Sequence, residues 1–159
     1  MPLDTDITVL IAVRGGSKRV PGKNIRPFAG SNMLTLKIQQ ALRLKGVNAV
    51  TVTSEDPEML KIAKDLGAAV LPRDPFYASD TVPMGDVYVH LASSLRCKDI
   101  LWTPVTSPLV RDETIQKCID IYKTDITIDS VVTAHILKEY LWLEDEAINY
   151  DPKNHPRSQ

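Results

Sequence analysis

The chain has 159 residues, 43% hydrophobic and 25% charged, and its 19 Lys and Arg against 20 Asp and Glu leave a formal net charge of −1. This is the composition of one soluble globular domain, long enough to bury roughly 70% of its unfolded surface, and it excludes a disordered, collagen-like or coiled-coil chain. The near-neutral balance also excludes the overall basic footprint of a nucleic-acid-binding protein. Two cysteines, Cys97 and Cys118, cannot make a disulfide framework or a four-ligand zinc site. No run approaches the ~18 apolar residues of a membrane span. The acidic start, MPLDTDITVL, lacks the basic and apolar regions of a signal peptide. A reducing cytoplasm is the expected setting, with neither membrane nor nucleic acid as a partner.

Ile7 to Val13 is a continuous apolar, β-branched run, of the length and character of a strand buried on both faces. It leads into a Gly- and Lys-rich loop, Arg14 to Asn32. From Met33 the pattern turns helical, with Leu34, Ile38, Ala41 and Leu42 on one stripe and Gly46 as a stop. Ala49 to Thr53 is the next strand. Asp56 and Pro57 then supply an N-cap and a proline at the first helical position. Met59, Leu60, Ala63 and Leu66 form that helix's apolar face, and Gly67 ends it. Ala68 to Leu71 is a short strand.

Pro72 to Pro83 is a loop, followed by a helix with Met84, Val87, Tyr88, Leu91 and Leu95 on one face. Asp99 to Thr103 is a strand. Asp112 is placed to cap a helix carrying Ile115, Cys118, Ile119 and Tyr122, and Ser130 to Ala134 reads as another strand. Tyr140 to Leu143 suits an antiparallel piece, and Glu144-Asp145-Glu146 a solvated turn. Trp102 and Trp142 lie in strand-like runs, as core residues would. Strand and helix alternate about four times over short connections, which predicts an α/β three-layer sandwich with a mainly parallel sheet. Right-handed crossovers bring the loops after the strands to one edge, where such sheets bind ligands.

The chemistry concentrates in Arg14-Gly15-Gly16-Ser17-Lys18-Arg19-Val20-Pro21-Gly22-Lys23-Asn24, which packs four cations and three glycines into 11 positions directly after the first strand. Glycines let backbone N–H groups approach an anion, and Lys and Arg supply countercharge. The pattern points to a polyphosphate. It is not a Walker A loop, because Ser17 stands where the first glycine would fall and Asn24 where the hydroxyl would fall. Nor is it G-x-G-x-x-G, because Gly15-Gly16 followed by Gly22 has the wrong spacing for a dinucleotide site. His90, His135 and His155 have no ligand-spaced partners. No nucleophile elbow, H-E-x-x-H or EF-hand occurs.

Four segments in order resemble the acylneuraminate cytidylyltransferases, the CMP-sialic acid synthetases. Arg14-Gly15-Gly16-Ser17-Lys18 with Pro21, Lys23 and Asn24 is similar to the family's N-terminal signature. Pro72-Arg73-Asp74 with Ala78-Ser79-Asp80-Thr81 resembles its R-P-x-x-L-A-x-D segment. Thr106-Ser107-Pro108-Leu109 resembles P-T-S-P-L-R, and Pro156-Arg157-Ser158-Gln159 resembles P-R-x-Q. The resemblance covers nearly the whole chain. CMP-KDO synthetases have a similar loop, usually without the Lys-Asn ending, so Lys23-Asn24 favours the nonulosonic-acid branch.

The resemblance implies a Rossmann-like nucleotide-diphospho-sugar transferase fold and an enzyme that joins CTP to a nine-carbon α-keto acid sugar, releasing pyrophosphate. By resemblance, Arg14 and Lys23 contact the triphosphate and Asn24 holds the nucleotide. Gly15, Gly16, Ser17 and Lys18 line the phosphate site, with backbone N–H groups offered at Gly16 and Ser17. Arg73, Ser79 and Asp80 read the cytosine, Thr106 and Ser107 face the sugar, and Arg157 stabilises charge. The bland alternative for Ser79, Asp80 and Thr81 is capping of the following helix; for Thr106-Ser107 it is a turn held by Pro108; for Arg157 it is a terminal charge. Where the family has Gln-Pro before Thr-Ser-Pro, this chain has Pro104-Val105, which leaves the acceptor open among sialate-, pseudaminate- and legionaminate-like sugars. The resemblance also implies Mg²⁺, held in the family largely by C-terminal aspartates. No matching segment occurs here and no ligand is assigned, although Asp80 or Asp86 could assist. The chain is therefore expected to be one nucleotidyltransferase domain, 1–159, incomplete at its C-terminus. Residues 136–159 would begin a dimerisation segment, and a homodimer is expected. A CTP-binding chain without catalysis and another sugar nucleotidyltransferase are the alternatives.

Overall fold

The structure, a computed structural model, describes residues 6–134, 136 and 140–154. In chain order the elements are β1 (Ile7–Ala12), β2 (Pro27–Phe28), β3 (Ser31–Asn32), α1 (Met33–Arg43), β4 (Ala49–Ser54), α2 (Pro57–Asp65) and β5 (Ala69–Pro72). A single 3-10 turn (Pro75–Ala78) follows, then α3 (Met84–Ser94), β6 (Asp99–Trp102), α4 (Asp112–Thr124), β7 (Trp142–Leu143) and β8 (Glu146–Ala147).

The main sheet has the order β5-β4-β1-β6, and every pairing in it is parallel. Alternation along β1 divides its side chains between two cores. Ile7, Val9 and Ile11 face α1, α2 and α4, where they meet Leu34, Ile38, Met59, Ala63, Ile115 and Ile119. Leu10 faces the other way and packs with Val82, Val87 and Leu91 around α3. Three helices on one face and one on the other give the three-layer α/β sandwich expected from the strand–helix alternation.

The strand order reverses once. From β1 the chain steps outward through β4 to β5, then returns through α3 to the other side of β1 at β6. That return puts α3 on the opposite face, as right-handed crossovers require. A crevice opens at the carboxyl ends of β1 and β6, the topological switch point where open α/β sheets bind ligands.

Local signals explain the element ends. Asp56 caps α2 through Oδ1, which accepts from the N–H groups of Glu58 at 2.8 Å and Met59 at 3.3 Å, with Pro57 at the first helical position. Asn32 caps α1 by accepting from the Thr35 N–H at 2.8 Å. Gly46 and Gly67, just past α1 and α2, have φ of +75° and +86°, as left-handed stops do.

Several expectations are corrected. Ser130–Ala134 is not a strand. It runs past the open edge of β6, where Val131 and Ile100 line one groove, but it forms no ladder and Val132 is 84% exposed. β-branched composition alone does not make a strand without a hydrogen-bonding partner. Asp112 does not cap α4. The N-cap is Arg111, without a side-chain cap bond, and the Asp112 carboxylate is drawn to Gln40 and Arg43 instead. Leu42, Met84 and Tyr88 are exposed rather than on buried stripes, while Lys37 and Gln40 take the inner face of α1. Trp142 is half-exposed on the β7–β8 hairpin, whose turn holds Glu144 at φ +54°. Trp102 is partly buried against the smaller core.

Candidate functional site

The loop after β1 is built from the strand end outward. Asn24 is buried; its Nδ2 donates to the Arg14 carbonyl at 3.0 Å and its own carbonyl accepts the Leu34 N–H at 2.9 Å. Asn24 thus ties the two ends of the loop to the start of α1. Gly22, at φ +63°, turns the chain, and its carbonyl accepts from Ile25 and Arg26. At the other end Gly15 lies hard against α2, where a methyl group on it would fall 2.7 Å from Asp56 Oδ2.

Two carboxylates fasten this loop to its neighbours, making three ion pairs between them. Glu55, at the end of β4, accepts the Gly15 N–H on Oε1 at 2.8 Å and Arg73 Nη2 on Oε2 at 3.2 Å. Arg73 is buried and also donates to the Val13 carbonyl. One buried guanidinium therefore fixes the end of β1 to the end of β5. Asp80, in the loop after β5, accepts Arg14 Nη1 on Oδ1 and Lys18 Nζ on Oδ2, both at 2.6 Å. Arg14 also donates to the Ala78 carbonyl at 3.2 Å. The ammonium of Lys18 and then the guanidinium of Arg14 hold the Asp80 carboxyl below its ordinary range.

Two clefts meet at the Arg14–Asp80 pair. One, of about 610 Å³, is lined by Arg14, Ser17, Lys18, Arg19, Val20, Lys23, Asn24 and Asp80. The other, of about 380 Å³, lies at the switch point between Ala12 and Val13 of one strand end and Trp102 of the other, with Arg73, Tyr77, Ala78 and Ser79 along its wall. A separate groove along the outer edge of β6 is lined mainly by apolar side chains, with Lys98, Asp99 and Asp129 among them, and lacks the cluster of cations. The first cleft suits an anion with several negative oxygens. The second suits a flat, partly polar group beside it. Tyr77 closes the second cleft from behind, stacked on His90 with ring centroids 3.7 Å apart.

The structure therefore brings together Arg14, Gly15, Gly16, Ser17, Lys18, Lys23, Asn24, Arg73, Ser79 and Asp80 around one crevice. It corrects the roles of some. Ser17 does not offer its N–H to a ligand, because that group donates to the Gly15 carbonyl at 2.8 Å; the Gly15 N–H is engaged by Glu55. Ser79, Asp80 and Thr81 do not cap α3, whose N-cap is Pro83 without a side-chain bond. Ser79 and Thr81 pair their hydroxyls at 2.9 Å. Asp80 lines both clefts, with its carboxylate paired to Arg14 and Lys18. Thr106 and Ser107 sit in the turn after β6, at the same sheet edge because β6 runs parallel to β1. Arg157, His135 and His155 lie outside the described residues. Glu55 and Tyr77 escaped the sequence reading; only the strand-end position of Glu55 hinted at it.

The acidic groups do not by themselves fit a metal ion. Asp80 is committed to two cations, and among the described residues no three His, Cys, Asp or Glu gather into a candidate metal cluster. Among the same residues no helix is long and apolar enough to cross a membrane.

A switch-point crevice in a parallel α/β sheet, floored by a glycine–lysine loop, defines the nucleotidyltransferase class. The same architecture appears in a CMP:2-keto-3-deoxy-manno-octonic acid synthetase complexed with CTP (TM-score 0.66, 21% identity, 76% of this chain and 48% of that one). It appears again in a 4-diphosphocytidyl-2C-methyl-D-erythritol synthase from Anaerococcus prevotii (TM-score 0.68, 13% identity, 93% and 63%). The sequence matches the cytidylyltransferase family over residues 8–152, and the chain belongs to that family. It is 30% identical to an N-acylneuraminate cytidylyltransferase of Oncorhynchus mykiss over 96% of its own length and 37% of the other. It is 31% identical to a CMP-N,N'-diacetyllegionaminic acid synthase of Legionella pneumophila over 80% of its length and 56% of the other. The chain thus spans about a third to just over half of these relatives.

Proposed function

We propose that this chain carries the nucleotide site of a cytidylyltransferase that transfers CMP from CTP to a nonulosonic, sialic-acid-like sugar and releases pyrophosphate. The observation that carries the reading is the pair of clefts meeting at Arg14. The triphosphate lies in the larger cleft against Arg14, Lys18 and Lys23, and the cytosine lies in the smaller one beside Tyr77, Ala78 and Ser79. An α-phosphorus at their junction faces Arg14. As the sugar's anomeric hydroxyl attacks and the bond to pyrophosphate breaks, negative charge grows on the α-phosphate and on the leaving group. Arg14, held through its side chain by Asp80 and the Ala78 carbonyl, stabilises that charge with little reorganisation, and Lys18 and Lys23 add countercharge. Gly16, whose N–H has no partner among the described residues, adds a neutral donor.

Arg14 is held by Asn24 through its backbone and by Asp80 through its side chain. Asp80 must release Lys18 as the triphosphate enters. The acceptor occupies the edge near Thr106 and Ser107; Pro104, in place of a glutamine, favours a sugar other than N-acetylneuraminate. Homodimerisation and a requirement for Mg²⁺ belong to the same proposal, and they draw on the family resemblance alone. Pyrophosphate release tests the reading, measured with CTP and a panel of sialic, legionaminic, pseudaminic and KDO-type acids. CTP-dependent release with at least one nine-carbon acid is expected. Release only with the KDO-type acid would move the assignment to that branch, and no release with any acid would overturn it.

A further inference from the structure

A lysine on the inner face of α1 has no place in an ordinary helix stripe. Lys37 is 3% exposed, beside Leu34, Ile38 and Ala41. Burial pushes its ammonium below the usual lysine range, with Asp112 opposing that effect. A buried cation persists only where its donors find acceptors, and two of the three Nζ donors do so here. Nζ donates to Gln40 Oε1 at 2.6 Å and to the backbone carbonyl of Ser107 at 3.0 Å. Gln40 passes the connection on, with Nε2 donating to the Val110 carbonyl at 2.7 Å and to Asp112 Oδ1 at 2.8 Å. Arg43, one turn along, takes both Asp112 oxygens.

Three side chains of α1 therefore hold the chain after β6 at residues 107, 110 and 112. Within the segment itself the support is slight. Ser107 N–H reaches the Pro104 carbonyl at 3.3 Å, Thr106 is exposed and Leu109 is 86% exposed. Apart from Val105, which is buried in the core, the turn takes its position from the helix beneath it.

We propose that Lys37, seconded by Gln40, is a positioning residue for the acceptor. By gripping the Ser107 carbonyl from below, it fixes the Thr106–Ser107 turn whose hydroxyls meet the sugar, and so governs acceptor affinity while leaving the nucleotide site untouched. The proposal rests on the cytidylyltransferase reading for its ligand and on the hydrogen bonds alone for its clamp. The two can fail separately.

The test compares the full chain with Lys37→Met, which keeps length and removes the donors, and with Lys37→Arg, which keeps cationic donors. A cavity of about 370 Å³ bordered by Lys37, Pro104, Ser107 and Val110 gives the larger head room. Amide hydrogen exchange at 105–109, read at Ser107, whose N–H donates to the Pro104 carbonyl, is expected to rise about tenfold or more in Lys37→Met, the scale of losing one charge-assisted hydrogen bond. Exchange at 14–24 should not change. The acceptor KM should rise by about the same factor, with the CTP KM within about twofold, and Lys37→Arg should recover most of the loss. Unchanged exchange at 105–109 overturns the clamp. Raised exchange with an unchanged acceptor KM, or an equal rise in the CTP KM, overturns the positioning role. A wild-type chain that turns over no acceptor overturns the enzymatic reading, and exchange then decides the clamp. If Lys37→Met does not fold, Gln40→Met is judged by the same readouts.

Discussion

The two oxygens of Asp80 occupy Arg14 and Lys18. Under the proposed function it screens the cations that the triphosphate would meet, and it competes with an entering anion. Asp80→Asn should therefore tighten binding of inorganic tripolyphosphate by about tenfold at low salt, measured by calorimetry. Weaker binding would mean that the carboxylate serves mainly to aim Arg14. The titration has a defined sign. The folded carboxyl lies below its ordinary 3.8, so the pairing is complete above that pH and fades only as pH falls through the lowered value. An NMR titration of the Asp80 carboxyl should give a midpoint under 3.8 that climbs toward it in Lys18→Ala. The cations of this site were legible in the sequence because glycine spacing after an apolar run marks a phosphate loop. Of the carboxylates, Asp80 was marked by its Ala-Ser-Asp segment, whereas Glu55 carries no motif; the ion pairs of both depend on which strand ends the fold makes neighbours.

At the scale of elements, the end of β1 and the start of α2 share a single tight contact. Asp56 caps the helix with one oxygen and turns the other toward Gly15. Gly15→Ala should cost about 1–3 kcal/mol, the usual range for an overpacked site, and Asp56→Ala about 1 kcal/mol for the lost cap. The double variant should cost less than the sum, because removing the carboxylate makes room for the methyl group. A double-mutant cycle in urea reads that coupling; strict additivity would show that the contact carries no strain. The helices and the four main strands were readable from periodicity and caps, and Asp56-Pro57 and Gly67 behave as such signals do. The reading failed where a residue has two possible partners. Asp112 suits a cap, but Gln40 and Arg43 reach it from α1. Ser130–Ala134 has strand composition, but among the described residues no strand pairs with it. The β2–β3 hairpin was hidden in the long loop, although Ala29 and Gly30, both at positive φ, supply the two-residue turn such hairpins use.

For the whole molecule, a chain of net charge −1 concentrates its function in the local arrangement of charge. One basic loop, one returning helix and one reversal of strand order put side by side the two clefts proposed for the triphosphate and the base. That the sheet is parallel followed from the sequence; that β6 returns beside β1, and so creates the crevice, is a long-range pairing that no local pattern encodes. The chain spans about a third to just over half of its relatives and forms the switch-point crevice, with a sheet whose β6 edge is unpaired among the described residues. The central claim is that the loop 14–24 is the triphosphate site of a CTP-using protein. Calorimetric titration of CTP into the wild-type chain, Arg14→Ala and Lys23→Ala measures it most directly. Saturable binding is expected that GTP does not match and that falls about tenfold or more in each variant. CTP binding of unchanged strength in both variants would contradict it.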